Sequence, residues 1–172
     1  MKEVAVYYAK SNQLINEQMH TVIAKSFGEP FTVQLNGYFF KSLGQILDHI
    51  FVSDMIWMKA FMEINNYGMN IETEVRNVPS YGNRVFTDFD SFLQSRRVLD
   101  RFICTYMGQL DPSFFEKPVV RKTSNGLTIE KPSDRAIIHF FNHQTHHRGQ
   151  ISNILDEKNF ENNYSNMIFL DL

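Results

Sequence analysis

Apolar residues recur at helical spacing in four stretches of the chain, at about residues 3–25, 42–65, 87–111 and 133–157. The second stretch has two apolar faces, one with Ile46, Ile50 and Trp57 and the other with Val52 and Ile56. A helix that is exposed to water on one side carries a single apolar stripe. We therefore expect four helices, of which the second lies at the centre of the fold or is also covered by a partner subunit.

Helix-breaking and capping residues separate these stretches. They are Gly28 and Pro30 after the first helix, Thr87 or Asp88 before the third, Pro112 after it, and Ser133 and Asp134 before the fourth. Residues 66–84, with Gly68, Pro79 and Gly82, form a long connection of the kind that often covers a site. The predicted helices are thus joined by one long loop and several short connections.

A short hairpin is predicted between the third and fourth helices. Residues 119–122 and 127–130 have strand-like composition and flank the pair Asn125-Gly126, which favours a tight turn. The predicted fold class is therefore all-α, a four-helix bundle with a small β-hairpin before the last helix.

Composition restricts the classes of protein to which this chain can belong. Its 172 residues suit one domain, residues 1–172, and the sixteen Phe and eight Met residues indicate a large apolar core. A net charge of -2 with mixed signs predicts no nucleic-acid partner, and no apolar run is long enough to span a membrane. With Cys104 as the only cysteine and no secretory signal visible, we expect a cytoplasmic protein.

Four of the six histidines fall within residues 139–147 of the last predicted helix. At about 100° per residue, His147 lies within roughly 40° of Phe140 and Ile151 on the apolar stripe, so its side chain is expected to point inward. His143 lies one turn earlier, and the two imidazoles can therefore converge on one point. His146 is furthest from the stripe and is expected in solvent or at an interface.

Two imidazoles one helical turn apart can share a metal ion at about 2.0 to 2.1 Å, but tight binding requires a third ligand. His49 is the better candidate because it lies in the apolar second helix, whereas His20 lies near polar residues of the first. We therefore predict a divalent metal site formed by His49, His143 and His147. The alternative is that these are core histidines, each hydrogen-bonded to a backbone carbonyl.

Three neutral imidazoles leave a coordination position open, as in catalytic rather than structural sites. Peptidase activity is disfavoured, because Gln144 and Thr145 occupy the two positions after His143 and neither can act as the general base that the glutamate of the helical metalloprotease motif provides. The sequence leaves two roles open for His139. It can line the cavity or orient one of the metal ligands, or it can be an ordinary hydrogen-bonded histidine.

Several other residues are not expected to contribute to the site. We expect Asn12, Asn16 and Arg148 at the surface and Cys104 as buried filler. Gly149 is expected to permit close helix packing, since a glycine inside a helix otherwise lowers stability.

Residues 139–150, HFFNHQTHHRGQ, and the histidine of LGQILDHIFVSD closely resemble the DinB family of damage-inducible and YfiT-like proteins. The likeness covers nearly the whole chain, and N-H-x-x-x-H-R-G is its most specific part. It implies an up-down-down-up bundle, usually a homodimer, with His49, His143 and His147 holding nickel, zinc or iron. The family often has tyrosine before the last ligand, so His146 is not expected to be one.

The resemblance also bears on function. Several members are thiol-dependent transferases or isomerases that use a low-molecular-weight thiol, mycothiol or bacillithiol. We therefore expect a metal-dependent transferase or hydrolase-like enzyme acting on a small molecule. The alternative is a non-catalytic, stress-associated protein that binds a metal or small ligand. A homodimer through the two-faced second helix is a further expectation.

Overall fold

The computed structural model describes residues 1–71, 75, 85–123 and 125–170. In that part, the helices are α1 (Lys2–Ser26), α2 (Leu43–Ile64), α3 (Phe89–Gln109), α4 (Pro112–Phe115) and α5 (Ser133–Glu157), and the strands are β1 (Pro118–Lys122) and β2 (Thr128–Pro132). The protein is mostly helical with a small hairpin before the last helix, which confirms that part of the predicted fold class. Most of the predicted connection at 66–84 lies outside the described residues.

Helix ends follow the predicted signals with two corrections. Asp88 caps α3 by accepting a hydrogen bond from the Ser91 backbone N–H, as predicted. Pro112 does not close α3, which already ends at Gln109, but begins the single turn of α4, a position where its missing N–H is tolerated. Ser133 does not cap α5 either, because it is the helix's first residue and its hydroxyl donates to the Phe114 carbonyl at 3.0 Å.

The hairpin pairs its strands in antiparallel register, with Val119 opposite Lys131 and Arg121 opposite Ile129. Gly126 has a φ of +82°, a conformation that glycine adopts readily, and this supports the turn predicted at Asn125-Gly126. Beyond the turn, α5 begins directly after β2.

Side-chain contacts establish the directions of the long helices. These are Tyr8 with Phe141 and Asn16 with Arg148 between α1 and α5, His49 with His143 and Phe61 with Phe140 between α2 and α5, and Gln13 with Cys104 and Asn16 with Asp100 between α1 and α3. Accordingly, α1 and α5 run in the same direction, whereas α2 runs opposite to α5 and α3 runs opposite to α1.

Helix α2 is the central element, and its two apolar faces are covered by the rest of the chain. Ile46, Val52 and Trp57, which lie on different faces, are all buried. The predicted central position is therefore confirmed, and the two-faced pattern no longer requires a partner subunit. Within the described residues, no helix is long and apolar enough to cross a membrane.

A buried polar network crosses the helices. Arg96 of α3 forms ion pairs with Asp54 of α2 and with Asp100. The Asn16 side-chain amide of α1 donates to the Asp100 carboxylate at 3.1 Å, and Arg148 of α5 donates to the Asn16 carbonyl oxygen at 3.5 Å. The predicted surface positions of Asn16 and Arg148 are therefore wrong, because each finds polar partners inside the protein.

The surroundings of Asn12, Gly149 and Cys104 test three other expectations. Asn12 is also buried rather than at the surface. Gly149 is exposed, and a Cβ built on it would meet no heavy atom of a packed neighbour within 4 Å in the described part of the chain, so it does not serve close packing. Cys104 is half-buried beside Gln13, and burial raises the pKa of its thiol to about 11. That shift agrees with a structural rather than a reactive cysteine.

Candidate metal site

Helices α2 and α5 bring three histidine rings together. The Nε2 atom of His143 lies 3.2 Å from Nε2 of His49 and 3.1 Å from Nε2 of His147. One nitrogen from each of the three rings lies within 4.8 Å of the other two. The predicted residues are therefore close together and could bind a metal ion.

Local geometry explains this convergence. His143 and His147 lie one turn apart on α5, and adjacent turns of a helix present their side chains on one face. The antiparallel α2 places His49 opposite them, with its ring centroid 4.6 Å from that of His147. Phe40, in the segment before α2, packs against both His49 and His147, at centroid distances of 5.0 and 5.7 Å. This aromatic contact restricts the movement of two of the three rings.

The nitrogen–nitrogen distances fit a shared divalent ion. Two nitrogens bound at about 2.05 Å with an angle of about 90 to 109° between them lie about 2.9 to 3.3 Å apart. Both Nε2 separations at His143 fall within this range. A proton on one Nε2 atom can form a hydrogen bond to only one neighbouring ring at a time, whereas a metal ion can accept the lone pairs of all three rings.

Burial keeps the three imidazoles neutral. Burial, followed by the nearby His147 and His146, lowers the pKa of His49 to about 4. Burial, followed by His147 and His49, lowers the pKa of His143 to about 3. Burial also lowers the pKa of His147, against the opposing effect of its hydrogen bond to Gln150. Each ring can therefore offer a lone pair at neutral pH, which metal binding requires.

Gln150 positions one of the rings. Its side-chain oxygen Oε1 lies 2.7 Å from Nδ1 of His147, so Nδ1–H can donate to it and leave the lone pair on Nε2. Hydrogen bonds of this kind orient metal-binding histidines in many proteins. Gln150 is not among the site residues predicted from the sequence, although its spacing of three residues from His147 on α5 places both on one helix face.

The remaining histidines lie outside the group of three. His146 is exposed, as predicted. His139 is exposed too, with its ring centroid 5.2 Å from Trp57 and 6.2 Å from His143, which places it beside the site. His20 is buried with its ring edge-on to Phe92, apart from the site residues.

The site is partly accessible from solvent. His147 is buried, whereas His49 and His143 are half-buried. In the part of the chain that is described, no carboxylate or thiol joins the three histidines. The donor set therefore consists of neutral imidazoles, and an ion bound there would keep its charge and have room for a further ligand.

Comparison with known proteins identifies the family of the chain. The model of the DinB family matches residues 1–158 of the chain. No curated protein and no solved structure matches it. Because the family match covers most of the chain, the protein belongs to the DinB family.

Proposed function

We propose that this DinB-family protein is a metal-dependent enzyme in which His49, His143 and His147 bind one divalent ion, and that it uses a low-molecular-weight thiol to modify a small molecule. The observation that carries the proposal is the convergence of three neutral imidazoles, with Nε2 separations of 3.1 and 3.2 Å, on a partly exposed surface. Nickel, zinc and iron are the candidate ions, since all three accept imidazole ligands.

The chain's own residues have separable roles in this proposal. The three histidines donate lone pairs, Gln150 holds the proton on Nδ1 of His147, and Phe40 restricts the rings of His49 and His147. A divalent ion with neutral ligands supplies Lewis acidity, which favours the deprotonated form of a thiol or water near neutral pH.

The proposal extends to the arrangement of the whole chain. The helix directions support an up-down-down-up bundle made of α1, α2, α3 and α5 within one domain. A homodimer is proposed as well, supported by the exposed apolar side chains of Val4 and Tyr8 on α1 and Ile138 on the neighbouring α5. Light scattering at micromolar concentration should give the mass of two chains, and the mass of one chain would contradict the dimer.

Metal analysis of purified protein tests the shared premise. After incubation with nickel or zinc and gel filtration, the wild type should hold about one ion per chain. His49→Ala, His143→Ala and His147→Ala should each lose most of it, because two remaining imidazoles bind weakly. The matched control is His146→Ala, which removes an exposed histidine from the same helix and should retain the metal. Unchanged metal content in all three site variants would refute the proposal.

Activity is tested separately. Metal-loaded wild type and His143→Ala are incubated with a panel of thiols, including cysteine and bacillithiol, and a panel of small electrophiles, and thiol consumption is followed. Consumption by the wild type alone supports the enzyme. If metal binds but no thiol is consumed across the panels, the alternative function, non-catalytic binding of a small ligand, is favoured.

A further inference from the structure

Helices α1 and α5 pack against each other along a seam, and buried polar side chains lie on both helices. Ser11, Asn12 and Gln144 are 0, 3 and 1% exposed. Among the residues that the structure describes, the Ser11 hydroxyl and both polar atoms of the Asn12 and Gln144 amides have no hydrogen-bond partner in the protein. Burial of a polar group without a partner lowers stability, so native proteins nearly always provide such groups with a hydrogen bond.

Two contacts place Asn12 and Gln144 at the same level of the seam. On one side, the rings of Tyr8 and Phe141 stack at 5.4 Å. On the other side, Arg148 donates to Asn16 at 3.5 Å. Asn12 lies one turn from both Tyr8 and Asn16, and Gln144 lies about one turn from both Phe141 and Arg148. Because α1 and α5 run in the same direction, the two amides lie across the seam from each other.

The chemistry of these groups selects the class of ligand. Each amide offers two N–H donors and one carbonyl acceptor, and the hydroxyl can donate or accept. None of the three groups carries a charge. The charges buried nearby already balance, since Arg96 and Arg148 are matched by Asp54 and Asp100. A ligand that both donates and accepts and has no charge fits this environment, and an ion does not.

From these observations we propose that the α1–α5 seam holds one or more ordered water molecules that bridge Asn12 and Gln144. Buried waters of this kind typically make about three hydrogen bonds to polar groups that lack other partners. Gln144 and Arg148 directly follow the metal-site residues His143 and His147 in sequence. The bound water therefore ties α1 to the helix that carries two of the three histidines.

A crystal structure of the full-length protein at better than about 1.8 Å resolution tests the proposal directly. Water should lie at about 2.7 to 3.2 Å from a polar atom of both Asn12 and Gln144. A direct hydrogen bond between the two amides, or the absence of ordered water at either of them, would overturn the proposal. The metal content of the same protein is an independent result, so failure here leaves the proposed function untouched.

Thermal unfolding of variants provides a second measurement. Gln144→Met keeps the length of the side chain but removes its hydrogen bonds to water, so Tm should fall by about 3 °C or more. Asn12→Leu should act similarly, and the double variant should lose less than the sum of the two because both contact the same water. Gln94→Met, at an exposed helical position, is the matched control and should leave Tm unchanged. A higher Tm for Gln144→Met would show that its amide has no bound partner and would overturn the proposal.

Discussion

Replacement of Gln150 by methionine should weaken metal binding without removing a ligand. Oε1 of Gln150 lies 2.7 Å from Nδ1 of His147 and accepts its proton in a hydrogen bond. If the Gln150 amide were turned so that its N–H donated to Nδ1, the ring proton would be on Nε2, where it would compete with the metal. Methionine has a similar length but lacks the strong acceptor. The Nδ1 proton then has no fixed partner, and the His147 ring is no longer held toward the other two histidines.

The size of the effect follows from the type of contact and its exposure. Loss of a hydrogen bond behind a metal ligand typically weakens metal affinity about 10- to 100-fold, equivalent to about 1.4 to 2.7 kcal/mol. Gln150 is half-buried, so water can partly replace its oxygen. We therefore expect about a tenfold increase in the dissociation constant for zinc.

Competition with a chromophoric chelator at constant pH measures this change. Gln150→Glu retains an oxygen acceptor and should bind zinc at least as tightly as the wild type. Gln18→Met, at an exposed position of α1, controls for the substitution itself. If Gln150→Met binds zinc within twofold of the wild type while His147→Ala has lost it, the proposed role of Gln150 is refuted.

Two further predictions concern the core. Burial, followed by the charge of Arg96, lowers the pKa of His20 from 6.5 to about 3. The unfolded chain therefore binds a proton at His20 more tightly than the folded protein does, and the free energy of unfolding declines as pH falls below 6.5. In metal-free protein, the free energy of unfolding measured with urea should fall by about 2 kcal/mol less between pH 7 and pH 5 in His20→Leu than in the wild type. An identical fall in the two proteins would contradict the assignment. Arg96→Met leaves Asp54 and Asp100 buried without their cation and should lower the free energy of unfolding by about 3 to 5 kcal/mol. Arg97→Met, at the neighbouring exposed position, should change it by less than about 0.5 kcal/mol, and equal effects of the two substitutions would contradict the role of the ion pairs.

The candidate site could be predicted because its geometry is largely local. His143 and His147 are brought together by one helical turn, and the apolar pattern around each showed which way it points. The prediction of His49 as the third ligand required only that α2 lie at the centre of the fold, and the two apolar faces of α2 indicated this. Periodicity likewise predicted the long helices, because each buries a stripe of apolar side chains.

The buried polar residues could not be predicted in the same way. Asn16 and Arg148 are residue types that usually lie at the surface, and each finds a buried partner that is distant in sequence, since Asn16 donates to Asp100 and Arg148 donates to Asn16. Ser133 was predicted to cap α5, but its hydroxyl donates to the Phe114 carbonyl of α4, a residue 19 positions away in sequence. These predictions were wrong for one common reason, because the hydrogen-bond partners of these residues lie on other helices and are brought close only by the tertiary structure.

X-ray absorption spectroscopy of the zinc- or nickel-loaded protein determines whether all three histidines bind the metal. The zinc spectrum should show imidazole scattering from three nitrogen ligands at about 2.0 to 2.1 Å, reduced to two in His49→Ala reconstituted with excess metal. The variant also establishes that α2, and not only α5, supplies a ligand. A spectrum with one imidazole or none, or a spectrum that His49→Ala leaves unchanged, would contradict the three-histidine site.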